Sequence, residues 1–126
     1  MGHPTIYPTG VTVYNPEKCW NGFTIFQALE VGAVLMNMNG RENKVWKGVH
    51  GFPNKIFPGG YLMTSRGSRD GRYGVQDGLD LVQIDWDGNV VWKFDRNEYI
   101  EDPGIPGRWM ARSHHDYQRE GSSTCY

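Results

Sequence analysis

Apolar and polar residues alternate along much of the chain, in short stretches separated by turns that contain glycine or proline. In the stretch 81–86, Val82, Ile84 and Trp86 fall on one face of an extended strand, and the residues between them fall on the other. Alternation of this kind indicates half-buried strands rather than helices. The chain is therefore predicted to be all-β, with many short strands joined by tight turns.

Two segments, 33–47 and 81–93, repeat one pattern. Each begins with an apolar strand, continues through an Asn-Gly or Asp-Gly turn, and ends in Val-Trp-Lys. Such turns favour hairpins, because their central residues need positive φ. The turn glycines, Gly40 and Gly88, are roughly 50 residues apart, and a period of that length with hairpins inside it is typical of β-propeller blades.

The repeat predicts a β-propeller segment of about two blades, each a four-stranded antiparallel sheet. The range 1–32 is predicted to be an extended N-terminal arm with the first strands. The range 33–79 is the first blade repeat, and 80–126 is a second, incomplete one. Propellers have roughly four to eight blades, so another chain or missing sequence is expected to complete the ring. The alternative is a small, self-contained all-β domain.

Charge and composition narrow the choice of partners. The chain carries 13 Lys and Arg against 14 Asp and Glu, which argues against nucleic-acid binding, since such proteins are usually basic. No signal peptide and no apolar stretch long enough to span a membrane is visible, so a cytoplasmic location without membrane contact is expected. Cys19 and Cys125 form no CxxC pair and are expected to be free thiols, with a single disulfide as the alternative.

The segment 112–120 concentrates the residues best suited to chemistry. Two adjacent histidines lie there beside a carboxylate and two arginines. Imidazole can act as an acid, a base or a nucleophile near neutral pH, and a carboxylate can orient it through its other ring nitrogen. Arginine can clamp sulfate, phosphate or carboxylate groups. The candidate catalytic residues are His114, His115 and Asp116, and the candidate substrate-binding residues are Arg112, Tyr117 and Arg119.

A further histidine occupies the matching place in the first repeat. His50 follows the first Val-Trp-Lys hairpin, much as the histidine pair follows the second. Equivalent positions in successive blades converge on the propeller axis, so His50 is a fourth candidate catalytic residue, facing the same channel as His114 or His115. Only one of that pair is expected to face the channel if the segment is extended. The alternative is that these histidines pack or cap turns.

These motifs together resemble the bacterial arylsulfotransferase family, which folds as a six-bladed β-propeller. The opening segments 10–18 and 22–26 are similar to that family's lead-in, and 84–92 to its blade hairpin. The segment 58–63 is similar to its following strand. The segment 114–121, which begins His-His-Asp, is the most specific match.

The resemblance implies transfer of a sulfuryl group from a phenolic sulfate ester to another phenol, without a nucleotide cofactor and through a sulfohistidine intermediate. The family's nucleophilic histidine lies in a later blade, which this chain does not contain. His114 or His115 would then serve in anion binding or acid–base catalysis. The expected function is that of an N-terminal part or subunit of an arylsulfotransferase-like enzyme. Its substrate would be an aromatic or anionic small molecule, and a second polypeptide would complete the propeller.

Two other functions remain open from the sequence. In a metal-assisted hydrolase or lyase, His50 and one of His114 and His115 would bind a divalent ion together with histidines from another chain. In a non-catalytic interaction module, none of these residues would affect activity. No cofactor is expected under the first function, and no metal site is predicted within this chain.

Overall fold

The computed structural model describes residues 11, 13–74, 76–120 and 124–125, so residues 1–10 and 12 of the predicted N-terminal range 1–32 lie outside this part of the chain. In chain order the elements are β1 (Phe23–Ala28), β2 (Gly32–Asn37), β3 (Glu42–Lys47), β4 (Lys55–Phe57), β5 (Tyr61–Thr64), α1 (Gly71–Gly74), β6 (Asp77–Gly78), β7 (Val82–Ile84), β8 (Val90–Lys93), β9 (Glu98–Asp102), β10 (Ile105–Met110), β11 (Ser113–His114), β12 (Arg119–Glu120) and β13 (Thr124–Cys125). The prediction of an all-β chain is confirmed.

The first sheet has the strand order β1-β2-β3, and both pairs are antiparallel. The second sheet has the order β4-β5-β7-β8, again antiparallel throughout. The remaining strands pair as β9 with β10, β6 with β11, and β12 with β13. The second sheet takes two strands from the predicted first repeat and two from the second. Among the described residues the sheets do not close into a ring.

The two predicted hairpins are present and are built alike. In the β2–β3 turn, the Asn37 side chain accepts hydrogen bonds from two backbone N–H groups at 3.0 Å. In the β7–β8 turn, Asp85 accepts the equivalent bonds at 2.9 and 2.8 Å. Gly40 and Gly88 have φ values of 74° and 92°, in the left-handed region that glycine adopts without strain. A register shift follows at the same place in each hairpin.

The main core lies between the first and second sheets. Its buried members are Ala33, Leu35, Trp46, Val49, Leu62, Val82 and Ile84. The Trp46 indole N–H donates to the backbone carbonyl of Asp85 at 3.1 Å, so the largest side chain of this core also has its polar atom satisfied. Burial of each of these large apolar side chains contributes about 1.5–3 kcal/mol. The two repeated hairpins are therefore packed face to face.

The opposite face of the second sheet carries a separate cluster. Successive residues of a strand point to opposite faces, so Met63 lies on this face while Leu62 lies in the main core. Met63 and Leu81 are covered by Tyr117, which comes from the predicted site segment. That packing holds the segment 110–119 against the second sheet.

The cysteines and the membrane prediction can be compared with the structure in part. Cys19 is an exposed free thiol, as predicted, whereas the side chain of Cys125 lies outside the described part. Among the described residues, no helix is long and apolar enough to cross a membrane.

Candidate functional site

The short strand β11 places His114 directly opposite a carboxylate. In the β6–β11 pair, His114 is the cross-strand partner of Asp77, and Ser113 is that of Gly78. Directly opposed residues project from the same face, so the His114 Nδ1 meets the Asp77 Oδ1 in a hydrogen bond. A Cβ at Gly78 would lie 2.5 Å from the Ser113 Oγ and 3.1 Å from the Asp80 carbonyl oxygen, so a larger residue there would displace the Ser113 side chain.

Asp77 belongs to a larger ion network. The Arg69 Nη1 donates to the Asp77 Oδ2 at 3.0 Å, and the Arg69 Nε donates to the Asp102 Oδ2 at 2.9 Å. A second bond joins the Arg69 Nη2 to the other Asp102 oxygen, which makes the Arg69–Asp102 contact bidentate. The side chains of all three residues are at most 19% exposed.

Both carboxyl groups of this network remain ionised well below neutral pH. Burial raises the pKa of Asp77, but the hydrogen bonds from Arg69 and His114 outweigh that effect and leave the pKa below its ordinary value. Hydrogen bonding from Arg69 lowers the pKa of Asp102. The same bonds, first to Asp102 and then to Asp77, raise the pKa of Arg69.

A cavity of about 350 Å³ opens beside His114, large enough for a substituted benzene ring. It is lined by Leu81, Phe94, Ala111, Arg112, Ser113, His114, Asp116 and Tyr117. The lining thus joins an apolar and aromatic wall to a guanidinium, an imidazole, a hydroxyl and a carboxylate. Four of the seven predicted site residues lie here, namely Arg112, His114, Asp116 and Tyr117.

The backbone on either side of β11 adopts the left-handed conformation at two residues other than glycine. Arg112 has a φ of 52° and His115 a φ of 60°. Each such residue costs about 1–2 kcal/mol, and strain of this kind clusters at functional sites. The Arg112 Nη1 donates to the Glu98 Oε2 at 2.9 Å, in a pair whose side chains are both more than half exposed.

The turn at His115 also brings the two imidazoles together. Their ring centroids are 4.2 Å apart, and the His115 ring meets Phe52 edge-on at 5.5 Å. The expectation that only one histidine can face a given channel applied to an extended segment. The segment is not extended at His115, because its positive φ turns the chain.

Asp116 contacts a lysine rather than a histidine. Its Oδ1 lies 2.6 Å from the Lys55 Nζ, and this bond, with a second from the Tyr117 N–H, lowers the pKa of Asp116. The predicted role of Asp116 in orienting an imidazole is therefore filled by Asp77. Asp77 was not among the predicted site residues, because nothing in the sequence indicates that β6 pairs with β11.

Tyr117 is buried, with 6% of its surface exposed. Its hydroxyl donates to the Met63 carbonyl at 2.7 Å and also lies within hydrogen-bond reach of the Pro53 carbonyl. Tyr117 was predicted to bind substrate. In the structure its ring forms part of the cavity lining, while its hydroxyl contacts backbone carbonyls of the second sheet and the 52–54 loop.

The remaining two candidates lie at other cavities. The Arg119 guanidinium stacks 4.4 Å from the Trp92 ring, and its Nη1 donates to Gln83. Arg119 and Lys55 line a second cavity of about 320 Å³. His50 lines a third cavity, of about 310 Å³, and its backbone N–H donates to the Ser65 carbonyl at 2.6 Å. The structure therefore does not bring His50 into the His114 cavity.

Within the described ranges, no group of three or more His, Cys, Asp or Glu side chains is arranged to hold a metal ion. Neither a protein-family model, nor a curated protein, nor a solved structure matches this chain.

Proposed function

We propose that this chain is the N-terminal part of an arylsulfotransferase-like β-propeller enzyme and that the His114 cavity binds an aromatic sulfate ester. The observation that carries the proposal is the lining of that cavity, where an apolar wall meets Arg112 and His114. An aromatic ring fits against Phe94, Leu81 and Ala111. A sulfate group fits the guanidinium, which offers paired N–H donors to tetrahedral anions.

The arrangement of the two larger sheets supports the proposal of a propeller fold. The second sheet is a four-stranded antiparallel meander, which is the form of a propeller blade. The first sheet packs on it face to face through the equivalent hairpin of the repeat, as neighbouring blades do. A second polypeptide or further sequence would supply the remaining blades.

His114 is the residue that we assign to acid catalysis. Its Nδ1 faces Asp77, so Nε2 is the ring nitrogen that remains to act on a ligand. In the transfer step the bond between sulfur and the aryl oxygen breaks, and the electron pair leaves on that oxygen. The imidazolium of His114 gives its Nε2 proton to the departing phenolate, which leaves as a phenol. The sulfuryl group passes to a histidine nucleophile in the part of the assembly beyond this chain.

Arg112 and the backbone around it would stabilise the transferring group. Negative charge develops on the oxygens around sulfur as the bond between sulfur and the aryl oxygen breaks, and a neighbouring guanidinium stabilises that charge. Arg112 also donates to Glu98 at 2.9 Å, in an exposed pair that contributes little and leaves the guanidinium able to turn toward a ligand.

The test is turnover of 4-nitrophenyl sulfate, with phenol as acceptor, by the protein purified with any chain that accompanies it. We expect His114→Gln to lower kcat by about 10²–10⁴-fold for phenyl sulfate, the usual contribution of a general acid, and by less for 4-nitrophenyl sulfate, because 4-nitrophenolate departs readily without a proton. Arg112→Gln should lower kcat/KM. The matched control is Arg41→Gln, an exposed arginine in the β2–β3 turn. Turnover in His114→Gln equal to that of the control, or no release of 4-nitrophenol by the unmodified protein, contradicts the proposal.

A further inference from the structure

One face of strand β9 is directed at the candidate site. Glu98, Ile100 and Asp102 alternate along this face. Glu98 contacts Arg112 at one end of the strand, and Asp102 contacts Arg69 at the other. The Tyr73 hydroxyl also donates to the Pro103 carbonyl, next to Asp102. The β9–β10 hairpin is thus attached to the loop 65–78 at the end where Arg69 lies.

From Asp102 the contacts run without a gap to His114. Asp102 is bonded by the Nε and Nη2 of Arg69, while the Nη1 of the same guanidinium is bonded to the Asp77 Oδ2. The other Asp77 oxygen, Oδ1, faces the His114 Nδ1. Each carboxylate oxygen of Asp77 therefore has its own partner, and rotation of the carboxylate would break one bond or the other.

Burial sets this network apart from the Arg72–Asp70 ion pair of the same loop. The side chains of Arg69, Asp77 and Asp102 are 19%, 14% and 11% exposed. The Arg72–Asp70 pair, only a few residues away, has exposures of 63% and 36%. Exposed pairs of that kind contribute little, whereas buried charge-assisted bonds hold their geometry, because a broken bond leaves an uncompensated charge.

We infer that Arg69 and Asp102 are positioning residues that hold the Asp77 carboxylate against His114, and so fix the tautomer and the direction of that imidazole. The catalytic meaning of this inference rests on the proposed function. Other charged or titratable groups near the ring are His115, which meets it edge-on, and Arg112 and Asp116, which line the same cavity. Arg112 is bonded to Glu98 and Asp116 to Lys55, which leaves Asp77 as the carboxylate that contacts the ring.

The inference is tested on the ligand-free full chain by NMR, after labelling the histidines with ¹⁵N. The His114 signals are assigned by their loss in His114→Gln. In the unmodified chain we expect neutral His114 to carry its proton on Nδ1, facing Asp77. In Arg69→Gln we expect both tautomers to be populated, because Asp77 is no longer held against Nδ1. Arg69→Lys should restore the original signals in part, because it returns the cation without the bidentate bond.

The matched control is Arg72→Gln, which removes a guanidinium from the exposed pair and should leave the His114 signals unchanged. Identical His114 signals in Arg69→Gln and Arg72→Gln would overturn the inference. If Arg69→Gln does not fold, Asp102→Asn carries the test, since it keeps the shape of the side chain and removes one charge. Unchanged His114 signals in folded Asp102→Asn would equally overturn it.

The activity assay separates this inference from the proposed function. We expect Arg69→Gln to lower kcat for 4-nitrophenyl sulfate by about tenfold, as loss of an outer partner of a catalytic group commonly does, with little change in KM. If the unmodified protein turns over no sulfate ester while the NMR signals move as expected, the proposed function fails and the positioning network stands. If turnover depends on His114 while the NMR signals do not respond to Arg69→Gln, the positioning network fails and the proposed function stands.

Discussion

At Asp77, burial and hydrogen bonding act in opposite directions on one carboxyl group. Burial alone favours the neutral acid, but bonds from Arg69 and His114 favour the carboxylate and lower the pKa. A carboxyl group whose pKa is lowered on folding adds stability above its unfolded pKa. That stability is lost as the pH falls through the folded value. The ionised form is therefore the one that holds the site together.

This sign leads to a prediction for Asp77→Asn. The substitution should lower the free energy of unfolding near pH 6 by about 1–3 kcal/mol, the range for hydrogen bonds to charged groups. The difference between the two proteins should shrink as the pH falls below the ordinary value of 3.8, because there the unfolded chain takes up a proton at Asp77 while the folded chain, whose pKa is lower, still holds the carboxylate. Urea unfolding followed by circular dichroism between pH 3 and pH 6 measures it. A difference that grows toward low pH would show that the sign is wrong.

The control for this measurement is Asp70→Asn. Asp70 also has a lowered pKa, through its bond with Arg72, but that pair is exposed and contacts no part of the cavity lining. Exposed pairs are worth roughly 0–1 kcal/mol, so Asp70→Asn should change stability less than Asp77→Asn at every pH.

Among the elements, the two repeated hairpins show how much a short sequence can specify. Asn37 and Asp85 cap their turns in the same way, and a glycine with positive φ follows three residues later in each. The two hairpins and their turn glycines were predicted from the sequence and are confirmed, whereas the Asn37 and Asp85 caps were not predicted. The pairing of β6 with β11 joins residues 77–78 to 113–114, and no local signal indicates it.

We predict that Gly88→Ala destabilises the chain by about 1–2 kcal/mol, the cost of placing a Cβ residue in the left-handed region. The φ of Gly88 is 92°, and no atom lies within 4 Å of the added Cβ, so conformational strain is the whole effect. Thermal unfolding measures the loss.

The control is Gly22→Ala, where the added Cβ also meets no atom within 4 Å but the backbone does not have this positive φ. Gly22→Ala should be neutral or slightly stabilising, since alanine restricts the unfolded chain. Equal destabilisation by the two substitutions would mean that the turn conformation is not what Gly88 contributes.

Across the whole molecule, large apolar side chains remain exposed at the outer faces of the sheets. Phe23 on β1 is 61% exposed, Val91 on β8 51% and Trp109 on β10 66%, and Trp109 stacks edge-on with Tyr99. Singly exposed apolar residues are common on protein surfaces. Under the proposed propeller arrangement, further blades would cover such residues at the open ends of the segment.

We therefore predict that the natively purified protein has a mass well above the 14.4 kDa of this chain. A second polypeptide in the complex, or a longer covalent chain, would account for the remaining blades. Native mass spectrometry, followed by denaturation, separates these two cases. A folded, monomeric species of 14.4 kDa would contradict the propeller proposal and leave a small self-contained β domain.

The sequence by itself determined the all-β class and both repeated hairpin turns, because alternation and turn chemistry act between neighbours along the chain. Only the tertiary structure decided which side chains meet. In the folded chain Asp77, and not Asp116, contacts His114, and Arg69 bonds both Asp77 and Asp102. His50 and Arg119 line other cavities. These outcomes depend on the register between strands far apart in sequence, and a shift of one residue would have reversed the face of every side chain involved.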